Sequence, residues 1–349
     1  MLHRPDFPRK SLKNCAYSIS ILAAAMLFAS AVGGAFDPAR AQSNDGSNNL
    51  LDAVVGIDTH IPSNARTAGT LGTERQGSGA VISDDGLVLT IGYLILEANS
   101  IDLTTSDGRT IPAKFLGYDH ASGFGLVRAL SPLGVTPFEL GSSDDAAARS
   151  QALIANRLGK ESVQGVFVVD RRQFVGSWEY LLDDAIYTSP PNPNFSGASL
   201  LGADGRLLGI GSLFVGNAAV IQQPVPGNMF VPIDELRPIL DDMVASGRRA
   251  GNARPWVGIF SSEFRGRVFV DRIAPDGPAE AAGIEPGDLI VNVRGTPVDD
   301  MASFLRAVWK DGKAGDKIDM TVLTKGGELR GVSVSSDDRQ NWLRLDPSF

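Results

Sequence analysis

Residues 195–211 read FSGASLLGADGRLLGIG, two apolar runs hinged on Asp204-Gly205. The Asp-Gly pair signals a tight turn, and Leu207–Gly211 behind it has strand composition. The same grammar recurs upstream. Gly79–Ile82 and Leu87–Thr90 flank Asp84-Asp85-Gly86, and Ile101–Thr105 and Thr110–Phe115 flank Ser106-Asp107-Gly108. Gly125–Ala129, Val166–Asp170 and Ala185–Thr188 are further strand candidates. Many short strands separated by turn signals predict an all-β barrel or sandwich.

A helix is predicted to follow. Asp234 caps it, and Leu236, Ile239, Leu240 and Met243 share one face at helical spacing. Gly247–Asn252 ends it and opens a linker over 247–254. A second β-rich unit covers 255–336, with helical stretches predicted at 278–282 and 299–310, and a tail fills 337–349. No internal repeat relates the two units.

A chain of 349 residues is too long for one ordinary domain and predicts two. Hydrophobic content of 43% and charged content of 21% exclude disorder along most of the length. The 39 Gly and 20 Pro follow no fixed period, which excludes collagen-like sequence. With 32 Lys+Arg against 40 Asp+Glu, the net charge of −8 argues against phosphate-driven nucleic-acid binding.

The N-terminus has the order of a secretory signal. Arg4, Arg9, Lys10 and Lys13 precede an uncharged stretch from Cys15 to Phe36, and Ala39-Arg40-Ala41 supplies a small-residue cleavage site. Cleavage after Ala41 would leave a flexible leader at 42–50; the alternative is an uncleaved membrane anchor. Removing 1–41 takes five basic and two acidic residues, leaving 27 against 38, or −11. It also removes Cys15, the only cysteine, so disulfides and zinc held by thiolates are excluded from the mature chain. No cofactor or metal is expected.

Three segments together carry a family resemblance: Gly77-Ser78-Gly79 with its hairpin, the Ser106-Asp107-Gly108 turn, and Phe195–Gly211. In that order they resemble the trypsin-like double β-barrel of the HtrA (DegP/DegS) family, assigned here to 51–246. Residues 255–336 resemble that family's PDZ domain. The implied fold is mostly β, a chymotrypsin-like double barrel followed by an α+β PDZ domain.

The family's chemistry needs a serine nucleophile, a histidine base and an aspartate that orients the imidazole. The resemblance puts Ser196 at the nucleophile position, Tyr93 at the histidine position and Gly123 at the aspartate position. A phenol with a pKa near 10 is a poor base at neutral pH, and glycine orients nothing. The mature chain offers only His60 and His120. His60 precedes the matched strands, and His120 reads as a lone surface-loop histidine. Lys114 and Lys160 carry no signal placing them at Ser196. The oxyanion loop, Asn194 to Ser196, has Asn194 where the family has glycine, on an approach stiffened by Pro190, Pro191 and Pro193. Losing one oxyanion donor typically costs about 100- to 1000-fold in turnover.

The PDZ resemblance implies capture of a peptide C-terminus by strand addition, with backbone N–H groups cradling the carboxylate. Trp256-Val257-Gly258-Ile259 matches that loop, and Met301, Leu305 and Val308 are expected to wall the groove. Phe260–Arg267 is shorter than in several relatives, so the first PDZ helix is expected to be vestigial. The tail carries Trp342, Leu343 and Leu345 and ends in Phe349; it reads either as a local packing segment or as a groove ligand.

Two function classes follow. The first is an exported HtrA-like pseudoprotease that binds polypeptides with apolar C-termini or unfolded segments, as a chaperone, adaptor or regulatory subunit in envelope protein quality control. The second is a divergent active serine endopeptidase. The implied location is the bacterial periplasm, or the periplasmic face of the inner membrane if the segment stays uncleaved. The family often trimerises through the segment before the barrel; here that segment carries Leu50, Leu51, Val54, Val55 and Ile57, with few aromatics.

Overall fold

Two closed antiparallel barrels of six strands each stand first in the computed structural model, which describes residues 51–158, 163–220 and 222–345. The signal segment, Leu50, Lys160 and Phe349 lie outside these residues. The first barrel is built from β1 (Val54–His60), β2 (Glu74–Val81), β3 (Leu87–Ile91), β4 (Ser100–Thr104), β5 (Thr110–Tyr118) and β6 (Phe124–Ala129), in the order β1-β2-β3-β6-β5-β4. Closure leaves no open edge. The second uses β7 (Gln151–Ala155), β8 (Val163–Gly176), β9 (Tyr180–Ser189), β10 (Ser199–Leu201), β11 (Leu207–Val220) and β12 (Pro224–Pro232), in the order β10-β11-β12-β9-β8-β7.

Both predicted hairpins form with their Asp-Gly turns, and Gly86 and Gly108 sit at φ +79° and +83°. Such values favour glycine because a Cβ would crowd the backbone. Sequence reading missed β1, β7, β10 and β12, and it caught only fragments of β8, β9 and β11. Val54, Val55 and Ile57 are fully buried in the first barrel's core, with Leu51 packed against it, so these apolar residues serve the barrel itself.

The predicted helix from Asp234 is corrected. Ile233–Glu235 form one 3₁₀ turn, and the α-helix proper covers only Leu240–Ser246. Pro238 is the physical cause: it has no N–H to donate and its ring disfavours helical geometry at Arg237. Asp234 instead accepts from Ser143 N–H at 2.6 Å and from Ser142 Oγ at 3.1 Å, so its carboxylate serves another turn.

A third sheet has the order β13-β14-β15-β17-β18: β13 (Ile259–Glu263), β14 (Val268–Ile273), β15 (Leu289–Val293), β17 (Lys317–Leu323) and β18 (Leu329–Ser335), with β16 (Thr296–Pro297) paired to β15. Its helices are α1 (Pro278–Ala281) and α2 (Met301–Trp309). Asp300 caps α2 in a reciprocal box with Ser303, and Ala302, Leu305 and Val308 face the core at helical spacing. No helix intervenes between β13 and β14. A short helix, α3 (Arg339–Trp342), carries the tail back onto the first barrel, where Leu343 packs on Leu96 and Tyr118.

Candidate functional site

The two barrels meet at Gly77, Ser78 and Gly197. A Cβ on Gly77 would sit 2.3 Å from Leu94 and 2.8 Å from the Ser196 carbonyl, and one on Gly197 would sit 1.9 Å from the Ser78 carbonyl. The close approach lets Ser78 N–H donate to the Ser196 carbonyl at 2.9 Å. Arg157, from the second barrel, donates its N–H to Ser78 Oγ at 3.0 Å and its side chain to the Val54 and Leu51 carbonyls. The Gly-Ser-Gly and Ser-Gly motifs are thus the two faces of one seam, and they fix Ser196 at its centre.

Tyr93, on the 3₁₀ turn Gly92–Leu94 after β3, brings its hydroxyl to 2.9 Å from Ser196 Oγ and 2.7 Å from the Ser212 carbonyl. The carbonyl can only accept, so the phenol's single proton goes to it. Ser196 Oγ–H must then donate to the phenol oxygen. Burial pushes the Tyr93 pKa up further, so the phenol stays protonated and takes no proton from serine. Gly123 is buried at φ +81°, and a Cβ there would lie 3.2 Å from the Tyr180 ring. Tyr180 fills the space beside it and donates to the Ser122 carbonyl at 2.6 Å.

The loop before Ser196, expected to supply the oxyanion donors, is tied off. Asn194 N–H donates to Asn192 Oδ1 at 2.8 Å, and Asn192 is itself locked to Asn228 by two bonds of 2.7 and 3.1 Å. Asn194 Nδ2 donates to the Leu158 carbonyl, and Asn194 is not among the residues with positive φ. The backbone donor is spent inside the loop.

Neither histidine is brought to Ser196. His60 pairs with Glu74 across β1 and β2, and Lys114 points to solvent from β5. The expectation of a lone surface histidine at 120 is corrected. His120 is partly buried, 3.1 Å from Tyr118 Oη and 2.8 Å from Arg339 Nη1, which with burial holds its pKa well below the usual range.

The third sheet holds the feature that sequence reading missed. Gly258, at φ +76°, opens a loop whose N–H groups all point one way. Val257, Gly258 and Ile259 donate to the Glu179 carboxylate at 3.2, 2.7 and 2.9 Å. Glu179 sits at the β8–β9 tip, 2% exposed and at φ +58°. Three aromatic rings brace that tip: Trp178 stacks on Tyr180 at 5.5 Å and meets Phe174 at 6.1 Å. Behind it, Arg339 Nη1 donates to the Trp178 carbonyl at 3.1 Å. Of the expected groove residues, Val257, Ile259, Leu305 and Val308 are fully buried and Met301 partly so, in one cluster with Leu181 of β9. Trp256 turns instead to Trp342, with ring centroids 5.2 Å apart.

Burial pushes the Glu179 pKa up to about 7, against the pull of the three N–H donors and Arg339. His120 and Arg254 also face this pocket, beside the Arg249–Asp119 and Arg248–Asp338 pairs. A folded-state value above the unfolded 4.5 means that the folded chain holds the proton more tightly. That stabilisation is full below pH 4.5 and is lost as pH rises through about 7. Glu179→Gln should therefore flatten the fall in urea midpoint between pH 5 and pH 8. An equal fall in both chains would show that Glu179 does not titrate in that window.

The trypsin-like peptidase domain family matches residues 77–210, and the PDZ domain family matches 255–335. Serine protease Do-like HtrA of Bacillus subtilis (strain 168) is 23% identical over 325 residues, covering 82% of this chain and 71% of that protein. Periplasmic serine endoprotease DegP of Escherichia coli (strain K12) is 26% identical over 294 residues, covering 78% and 59%. Among solved structures, a variant of the HtrA-type protease AlgW with a tripeptide has a TM-score of 0.53 at 20% identity, covering 83% of this chain and 95% of that one. A serine endoprotease from Yersinia pestis has a TM-score of 0.50 at 21% identity, covering 83% and 96%. Among the described residues no helix is long and apolar enough to cross a membrane. The chain thus carries a trypsin-like peptidase domain followed by one PDZ domain and is similar over most of its length to HtrA and DegP serine proteases.

Proposed function

We propose that this chain is a pseudoprotease of the HtrA family that binds polypeptides through its PDZ domain in the bacterial periplasm. The observation that carries the reading is the contact of Ser196 Oγ with the Tyr93 hydroxyl at 2.9 Å, a hydroxyl that also lies 2.7 Å from the Ser212 carbonyl. Its hydroxyl donates to a phenol that has already committed its own proton to the Ser212 carbonyl. Attack on an amide needs a base that removes the serine proton, and among the described residues no such group touches Ser196. Tyr93 holds the histidine position, and Gly123, with Tyr180 packed against it, holds the aspartate position. The oxyanion donor of Asn194 is occupied as well. What remains is a rigid double barrel that presents a PDZ domain, which suits an adaptor, a chaperone or a regulatory subunit.

The test is direct. Incubated with casein and with a fluorophosphonate probe, the chain should show neither cleavage nor labelling above its Ser196→Ala variant. Ser196-dependent labelling or turnover would establish the alternative, an active endopeptidase with a base outside the family's pattern.

A further inference from the structure

We propose that Glu179 is a built-in ligand of the PDZ domain, seated where a partner's C-terminal carboxylate would bind, so that the partner enters only when the β8–β9 tip withdraws. This rests on the peptide-binding reading above and adds its regulation. A PDZ domain recognises a C-terminus by three kinds of contact: N–H donors to the carboxylate, backbone pairing with the neighbouring strand, and an apolar pocket. The tip supplies all three from within the chain. Its carboxylate takes the N–H groups of Val257, Gly258 and Ile259. Two residues earlier, the Ser177 carbonyl accepts from Ser261 N–H at 3.0 Å, so the segment runs antiparallel to β13 with its acid at the loop. Leu181 enters the apolar cluster of Ile259, Leu305 and Val308. Asp183 adds an ion pair to Arg306 of α2 at 2.6 Å.

Two further observations mark the seat as a held position. Glu179 is a non-glycine residue at φ +58°, a strained conformation that persists only where surrounding contacts impose it. Arg339 grips the Trp178 carbonyl from behind, so the tip is clasped between the PDZ loop and the C-terminal helix. The competing acid is covalently attached, and its high effective concentration lets it exclude a free peptide of similar intrinsic affinity. The partner that displaces it has a free C-terminal carboxylate, the group that Glu179 imitates, next to an apolar last side chain.

The experiment uses the full chain and a hexapeptide ending in valine, as free acid and as amide, in calorimetric titration. Amide hydrogen exchange at Val257–Ile259 is followed in parallel. In Glu179→Ala, free-acid binding should tighten at least about tenfold over wild type, using about 1.5–3 kcal/mol for hydrogen bonds to a charged group. The variant should prefer acid to amide, and the three loop amides should exchange faster without peptide. A folded Glu179→Ala chain with wild-type affinity and wild-type exchange overturns the proposal. Faster exchange with equal acid and amide affinity upholds the Glu179 seat and overturns the reading of the groove as a C-terminus binder. If Glu179→Ala shows no cooperative urea transition, Leu181→Ala replaces it: it withdraws the apolar plug and leaves the strained tip intact. Tighter free-acid binding then supports the proposal, and unchanged binding overturns it.

Discussion

Tyr93→His combined with Gly123→Asp, which would supply the histidine and aspartate that the proposed reading finds missing, should yield no Ser196-dependent hydrolysis and a clearly weakened fold. An aspartate at 123 must adopt φ +81° and place its Cβ 3.2 Å from the Tyr180 ring. Removing the Tyr93 phenol strips the Ser212 carbonyl of its donor. Together these costs amount to about 2–5 kcal/mol, from left-handed strain and one unsatisfied buried carbonyl. Even with all three side chains present, Asn194 N–H still belongs to Asn192. The measurements are a urea midpoint and casein turnover for the double variant, with and without Ser196→Ala. Robust Ser196-dependent turnover would mean that the site is dormant by two residues alone and that the oxyanion loop rearranges on its own.

The second large effect is structural and falls on Gly197. Alanine there must hold φ +70° and place a methyl 1.9 Å from the Ser78 carbonyl and 2.6 Å from Thr90 Oγ1. Thr90 Oγ1 already donates to that carbonyl at 2.7 Å, so neither group has room to yield. Overpacking plus left-handed strain should cost about 3–5 kcal/mol, a large part of the stability of an ordinary domain. Because the clash lies on the seam, Gly197→Ala should also loosen Arg157 from the Val54 carbonyl, which exchange at neighbouring amides would report. A loss below about 1 kcal/mol would mean that the seam is soft.

The sequence was most legible where backbone approaches backbone. Gly77, Gly79 and Gly197 stand out as a motif because a Cβ at each would collide with its neighbours, and a motif of that kind is visible in one chain. The Asp-Gly turns were readable for the same reason. Tertiary overrides were not. The stripe Leu236, Ile239, Leu240, Met243 has helical spacing, and all four residues pack on the core. Pro238 nevertheless broke the first turn, so burial at helical spacing did not guarantee helix. The resemblance assigns roles to positions 93 and 123, yet nothing local announced that Tyr180 stands beside Gly123. Asn194 was noticed as a missing glycine, while its capture by Asn192 depends on Asn228, far along the chain. Glu179 was the largest omission. In sequence it is one acid in Ser177-Trp178-Glu179-Tyr180, an ordinary hairpin tip. Its meaning exists only once the PDZ loop is placed against it.

The tail binds more than its own domain. Glu97, buried and at φ +62°, accepts from Arg66 N–H, Thr67 N–H and Thr67 Oγ1, and its last acceptor site takes Arg344 N–H at 2.8 Å across 247 residues of sequence. Beside it, Trp342 Nε1 donates to the Pro275 carbonyl at 2.8 Å, and Leu343 covers Leu96 and Tyr118. Whichever way the chain reaches the compartment where it folds, the first barrel's edge at Leu96 and Tyr118 is sealed only once residues 339–345 have arrived. Until then that edge is an apolar surface that a chaperone can hold.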